Sequence, residues 1–216
     1  PSSRVQENML GLALTQNYDL VKKCLFELIN YKHEVSVKCR LGLGMNEDKN
    51  YIFSYLNLFN EIGIKKVFIH CRNGVLNLDT KKNRTIPQIN YELFLECSKK
   101  FPEMELIPNG EVNNLDTFNS FKSKNINKYM IGRQFAKDAL FLEKLKLEKI
   151  NDKTSLVLDS IKELDNYKYS NINLLKKSLF TLINNISNSK GIKKDISIID
   201  NTKDLLNYIE RKIIWT

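Results

Sequence analysis

Short runs of β-branched and apolar residues alternate with apolar stripes at helical spacing over residues 9–137, and this alternation constrains the fold most. The runs predict strands at residues 35–38, 67–70, 106–109 and 129–132. The stripes predict helices within residues 21–29, 52–62, 91–95 and 115–121. Repeated strand–helix units with apolar strands indicate parallel β/α architecture, as a barrel or an open sheet.

The pattern changes after about residue 150. Residues 151–216 contain helical stripes, the clearest within 175–186 and 205–213, and no convincing strand alternation. A polar stretch at residues 184–190 separates the two stripes. The sequence therefore predicts a small helical domain after the β/α part.

Composition excludes several classes of protein. The chain has 216 residues, is 42% hydrophobic and carries a net charge of +9. These values argue against collagenous, disordered and disulfide-scaffold proteins, and no apolar run is long enough to predict a membrane span. The four cysteines lack metal-ligand spacing, so we expect reduced thiols and no metal site. The charge favours a nucleic acid partner, although a Lys-rich compositional bias would produce the same value.

Residues suited to binding a ligand stand at the carboxyl ends of the predicted strands. They are Lys38, His70, Asn109-Gly110 and Gly132-Arg133. In β/α barrels the carboxyl ends of the strands form the active site, and this set suits an anionic cofactor. Each residue also has a structural interpretation, such as a packed core histidine, a solvated lysine, an ordinary turn or a salt-bridge arginine. The other histidine, His33, has no such position, and we expect it on the surface.

Six segments together resemble the tRNA-dihydrouridine synthases, most closely the bacterial A-type subfamily. They are residues 1–6 (PSSRVQ), 35–42 (VSVKCRLG), 68–72 (FIHCR), 81–87 (KKNRTIP), 109–110 (NG) and 130–133 (MIGR). They occur in the order of the family and near its spacing. The helical residues 151–216 resemble the family mainly in their general character. Their basic stretch at residues 190–194 resembles one that the family uses to contact tRNA.

This resemblance implies an oxidoreductase that reduces uridine to dihydrouridine in tRNA, with FMN as cofactor and NADPH as reductant. The implied fold is α/β: residues 1–145 would be the carboxyl-terminal portion of a TIM-type flavin barrel. Residues 151–216 would be a helical tRNA-binding domain. The target uridine would leave its stack to reach the flavin, so the barrel mouth would be open and basic.

The resemblance also implies roles for individual residues. Lys38 would contact the flavin ring, and His70 would bind flavin. The phosphate site would comprise Asn109, Gly110, Gly132 and Arg133, with Glu111 beside them. The tRNA contacts would be Lys81, Arg84, Lys190, Lys193 and Lys194.

The sequence departs from the family pattern in ways that affect chemistry. The acid cysteine of the family would stand immediately before Pro1, so we assign no catalytic residue to this chain. Cys39 and Cys71 should point away from the motif side of their strands. Glu111 replaces the second glycine of an Asn-Gly-Gly motif, where a carboxylate would repel phosphate and a positive φ would be strained.

We therefore expect a piece of a longer protein that is inactive alone and folds poorly, because an opened sheet exposes its edges. We also expect a monomer in the cytoplasm, with an organellar location left open. Two alternatives stay open: a non-catalytic RNA-binding derivative of the family, and another flavin or phosphate barrel that acts on a small molecule.

Overall fold

The computed structural model describes residues 3–31, 34–46, 48–138, 141–142, 145, 153–168 and 170–214. Pro1 and the predicted surface residue His33 lie outside these ranges. The chain divides into two compact units, Pro1–Ile131 and Gly132–Thr216. The domain bounds 1–145 and 151–216 stay a prediction.

The first unit contains a three-stranded parallel sheet in the order β1-β2-β3. Its strands are β1 (Ser36–Leu43), β2 (Lys66–Gly74) and β3 (Glu105–Asn109). Its helices are α1 (Ser3–Glu7), α2 (Tyr18–Asn30), α3 (Lys49–Glu61), α4 (Tyr91–Lys100) and α5 (Leu115–Ser123). Short 3₁₀ turns form at Ala13–Gln16 and Lys82–Arg84. This arrangement is mixed α/β, as predicted.

Asparagine and aspartate side chains begin most of the longer helices. In the first unit, each cap accepts a hydrogen bond from a backbone N–H in the first turn; the caps are Asn17, Asp48, Asn90 and Asn114. These bonds satisfy donors that the helix itself leaves unpaired. These asparagines thus specify where their helices start.

The two faces of the sheet differ. Val67, Ile69 and Cys71 on β2 are fully buried in a core to which α2, α3 and α4 contribute. Alternate residues of the strands point to the opposite face, which carries Lys38 and His70. Helices against one face and polar groups on the other form the kind of wall found in a β/α barrel. The barrel itself stays a prediction.

The strands differ from the sequence prediction in their length. The predicted strand ends at Lys38 and His70 were wrong, because β1 continues to Leu43 and β2 to Gly74. A register shift between Arg40 and Gly42 accommodates the extension. The predicted fourth strand at 129–132 is reduced to an isolated parallel bridge between Asn109 and Met130.

The described residues of the second unit form helices around their own core. These are α6 (Arg133–Lys137), α7 (Lys153–Asp165), α8 (Ile172–Leu182), α9 (Ser189–Ser197) and α10 (Thr202–Lys212), with a 3₁₀ turn at Ile183–Asn185. Val157, Ile161, Leu175, Leu179 and Leu205 are fully buried. The first predicted helical stripe lies on α8 and continues through the 3₁₀ turn to Ile186. The second lies on α10 and ends at Ile213, directly after that helix. No helix within the described ranges has the length and apolar character to cross a membrane.

Candidate functional site

Polar side chains of neighbouring strands meet on the face of the sheet opposite the helices. The strand register places Arg40 beside His70, and His70 beside Asn109. Asn109 in turn bridges to Met130. Lys38 lies two residues before Arg40 on the same side of β1, and its long side chain reaches Asn109. We call Lys38, His70 and Asn109 the strand cluster.

Asn109 connects the strand cluster. Its Nδ2 donates to the carbonyl of Met130 at 2.8 Å, which fixes the orientation of the amide. Its Oδ1 accepts from Lys38 Nζ at 3.0 Å and lies 3.0 Å from His70 Nδ1. Asn109 on β3 is therefore linked to Lys38 on β1, to His70 on β2 and to the backbone at Met130. The structure thus brings together Lys38, His70 and Asn109 of the predicted set.

His70 is neutral near pH 7. Burial lowers its pKa from 6.5 to about 4, partly opposed by the hydrogen bond with Asn109 and reinforced by the positive charge of Arg40. Because Asn109 Oδ1 is an acceptor, Nδ1 of the neutral ring carries the proton. Nε2 is then a buried acceptor, and it has no hydrogen-bond partner among the described residues. A buried acceptor of this kind is expected to receive a donor from a bound group.

Lys38 supplies a positive charge to the strand cluster. Desolvation of its ammonium group lowers its pKa, and Arg40 adds to the shift. The first unit thus places a cation, a neutral imidazole acceptor and an amide within one hydrogen-bonded group. Such a set suits a ligand with both negative charge and hydrogen-bond donors.

The turn after β3 packs directly against His70. Gly110 has φ +127°, and a Cβ there would lie 2.8 Å from Ile89 Cδ1 and 3.4 Å from His70 Cε1. Tyr91 Oη on α4 donates to the Gly110 carbonyl at 2.6 Å. Only glycine combines this backbone conformation with so close an approach to the imidazole.

Glu111 adopts φ +48°, so the positive φ expected at this position is present with a non-glycine residue. Its carboxylate forms an ion pair with the guanidinium of Arg72. Arg72 is only 4% exposed and also donates to the Pro87 carbonyl. Glu111 therefore has a buried counterion at the end of β2.

The segment before Pro87 is held by Asn83, a residue to which we assigned no role from sequence. Asn83 is fully buried. Its side chain accepts from Val75 N and donates to the carbonyls of Val75 and Leu78, each at 2.8 Å. Arg40 Nη1 donates to the Asn83 carbonyl at 3.1 Å and to the Asn73 carbonyl at 2.7 Å. These bonds fix the loop that follows β2.

The predicted tRNA-contact residues Lys81 and Arg84 flank Asn83 in this loop. Both are exposed. Asn83 thus anchors a turn from which Lys81 and Arg84, together with Lys82, extend into solvent. The only sequence signal for this arrangement is an asparagine between basic residues, which is equally typical of an ordinary surface loop.

The other predicted site residues lie in the second unit. Gly132 precedes α6, and Arg133 is exposed at its first position. Their predicted phosphate contacts stay a prediction. Lys190, Lys193 and Lys194 lie on α9, where Lys193 donates to Asn184 Oδ1 while Lys190 and Lys194 are exposed.

The cysteines of the sheet are poor proton donors. Cys71 lies within the core and Cys39 packs against it. Burial raises the pKa of both thiols to about 12. These positions agree with the expectation that neither thiol faces the strand cluster. Over the described residues, no group of three or more His, Cys, Asp or Glu side chains is arranged to hold a metal ion.

Comparison with known families agrees with the resemblance noted above. The family model described as Dihydrouridine synthase (Dus) matches residues 1–211. This match covers almost the whole sequence, including the strand cluster and the helical unit. The chain belongs to the dihydrouridine synthase family.

Curated relatives share this family relationship over part of their length. The chain is 30% identical over 118 residues to a tRNA-dihydrouridine(20/20a) synthase of Pseudomonas aeruginosa, covering 54% of this chain and 36% of that protein. It is 28% identical over 168 residues to the tRNA-dihydrouridine(20/20a) synthase of Yersinia pestis, covering 76% of this chain and 48% of that protein. The matched region spans between a third and a half of these relatives.

Proposed function

We propose that the protein is a tRNA-dihydrouridine synthase, an oxidoreductase that reduces uridine in tRNA, and that this chain carries part of its flavin site. The observation that carries the proposal is the strand cluster, in which Asn109 joins Lys38 and His70. Membership of the dihydrouridine synthase family supports the same activity. The names of its relatives support tRNA as the substrate.

The strand cluster fits FMN by its chemistry. FMN offers hydroxyl and N–H donors to the buried, unpartnered acceptor His70 Nε2, and negative charge to Lys38. Gly110 allows the turn after β3 to lie against His70, where a side chain would collide with Ile89. When bound, FMN would supply hydride chemistry, with NADPH as the source of reducing equivalents.

The residues of this chain would bind and orient the cofactor rather than transfer the final proton. Lys38 would stabilise negative charge on the ring, while neutral His70 and Asn109 would orient it. Gly132 and Arg133 would contribute to a phosphate site. The final proton transfer is assigned to neither Cys39 nor Cys71, since their thiols are buried, with pKa values of about 12.

The RNA would bind through basic side chains of both units. Lys81 and Arg84 on the loop held by Asn83 would contact tRNA, as would Lys190, Lys193 and Lys194 of α9. The net charge of +9 supports a polyanionic substrate. We propose a monomer in the cytoplasm.

A second candidate is a non-catalytic RNA-binding member of the family. Glu111 at the second glycine of the phosphate-binding motif is the observation that favours it. Such a protein would bind tRNA without flavin and would form no dihydrouridine.

Complementation separates the two candidates. In a bacterial strain without its own dihydrouridine synthases, the full-length protein is expected to restore dihydrouridine to tRNA, as measured by mass spectrometry of nucleosides. The 216-residue chain alone and a full-length Lys38→Ala variant are expected to restore little or none. Restoration by the 216-residue chain alone would show that this chain contains its own proton donor. Binding of tRNA by a colourless, inactive full-length protein would establish the second candidate.

A further inference from the structure

Two consecutive residues after β3 have left-handed backbone conformations. Gly110 has φ +127° and Glu111 has φ +48°. Glycine adopts such angles freely, whereas a glutamate does so at a cost and needs surrounding contacts to hold it.

Arg72 provides the contact. Its guanidinium is buried at the end of β2, with 4% exposure, and it pairs with the Glu111 carboxylate. The same guanidinium donates to the Pro87 carbonyl. A buried cation needs a counterion, so Arg72 draws the Glu111 carboxylate toward the sheet. The pair therefore joins β2, the turn after β3 and the segment that ends at Pro87.

The turn held by this pair lies against the strand cluster. Gly110 is close enough to His70 that an added Cβ would lie 3.4 Å from Cε1 of the imidazole. Asn109, directly before it, supplies the oxygen that meets both Lys38 and His70. Any movement of Glu111 is transmitted through one glycine to the residue that connects the cluster.

We propose that Glu111 is a positioning residue whose ion pair with Arg72 holds the Asn109-Gly110 turn against His70, so that this carboxylate supports FMN binding instead of opposing it. The inference rests on the proposed function for its cofactor. It replaces the expectation that Glu111 acts as a repulsive charge beside the phosphate, because its charge is balanced by Arg72.

The two interpretations of Glu111 predict opposite signs for one substitution. If the carboxylate repelled phosphate, Glu111→Gln would tighten FMN binding, and more so at low salt. If the pair positions the turn, Glu111→Gln weakens FMN binding by about tenfold, the effect of losing one charge-assisted hydrogen bond. FMN dissociation constants of the full-length protein, measured by fluorescence quenching at low and high salt, give the sign.

Glu105→Gln is the matched control. Glu105 lies at the opposite end of the same strand, where it pairs with Lys66 and Lys128. Its substitution removes the same charge from β3 without touching the turn, so FMN affinity should stay unchanged. Arg72→Met should weaken FMN binding as Glu111→Gln does, and the double variant should lose little more than either alone.

A second measurement tests the position of the Asn109-Gly110 turn in the absence of FMN. The His70 ring, assigned with a His70→Asn variant, can be titrated by NMR in the cofactor-free protein. In Glu111→Gln the pKa of His70 should differ from that of the wild-type protein, because a displaced turn alters both the burial that lowers this pKa and the Asn109 hydrogen bond that raises it. Glu105→Gln should leave it unchanged.

These outcomes separate the two claims. Wild-type protein that fails to bind FMN would contradict the proposed function, while the histidine titration would still test the positioning role. FMN binding that Glu111→Gln tightens or leaves unchanged would overturn the positioning role alone, as would an unaltered His70 titration.

Discussion

Replacing Asn109 with leucine is expected to reduce the affinity of the full-length protein for FMN by about 100-fold. Leucine has nearly the same size but removes the oxygen that meets Lys38 and His70 and the donor to the Met130 carbonyl. Two to three hydrogen bonds at about 1 kcal/mol each correspond to this change in affinity. The measurement is the FMN dissociation constant, with circular dichroism to establish that the variant is folded.

Asn127→Leu is the matched control for Asn109→Leu. Asn127 is exposed in the same unit, so the same change of side chain should leave FMN affinity within about twofold of wild type. An Asn109→Leu protein that is folded and binds FMN normally would show that the strand cluster is not the cofactor site.

Replacing Asn83 with alanine should produce the largest loss of stability of any single change considered. The buried Asn83 side chain makes three hydrogen bonds to the backbone of Val75 and Leu78. Alanine leaves those backbone groups without their partner and opens space in the loop after β2. We expect the free energy of unfolding to fall by about 3 kcal/mol, measured by denaturant unfolding of the full-length protein.

The same variant should also weaken tRNA binding, because Lys81 and Arg84 lose the fixed turn from which they extend. Asn127→Ala serves as the control and should change stability by less than about 0.5 kcal/mol. A stable Asn83→Ala protein would mean that the loop is held by other contacts.

The sequence predicted the helices of the first unit well because their signals are local. Apolar spacing marks the buried faces of α2 and α3, and Asn17 and Asp48 mark where they begin. The strand starts are equally local, since Val35 and Val67 begin the two runs of β-branched and apolar residues. The strand ends are not local: Arg40 and Gly42 are poor strand residues, and only pairing with β2 extends β1 to Leu43.

The sequence predicted only those parts of the candidate site that follow from the order of the strands. Lys38, His70 and Asn109 could be grouped because parallel strands bring their residues to a common level. Arg72 and Asn83 could not be assigned roles, because a buried arginine or asparagine in a polar segment resembles a surface residue in sequence. The balancing of Glu111 by Arg72 depends on a contact between residues 39 positions apart, which no local pattern encodes.

The most direct test of the proposed function is reconstitution of the reaction. Purified full-length protein, loaded with FMN and supplied with NADPH, is incubated with tRNA that lacks modifications, and dihydrouridine is measured by mass spectrometry of nucleosides. We expect dihydrouridine to accumulate with the full-length protein and to be absent with its Lys38→Ala variant. Flavin-loaded, folded full-length protein that binds tRNA and forms no dihydrouridine would contradict the proposed function.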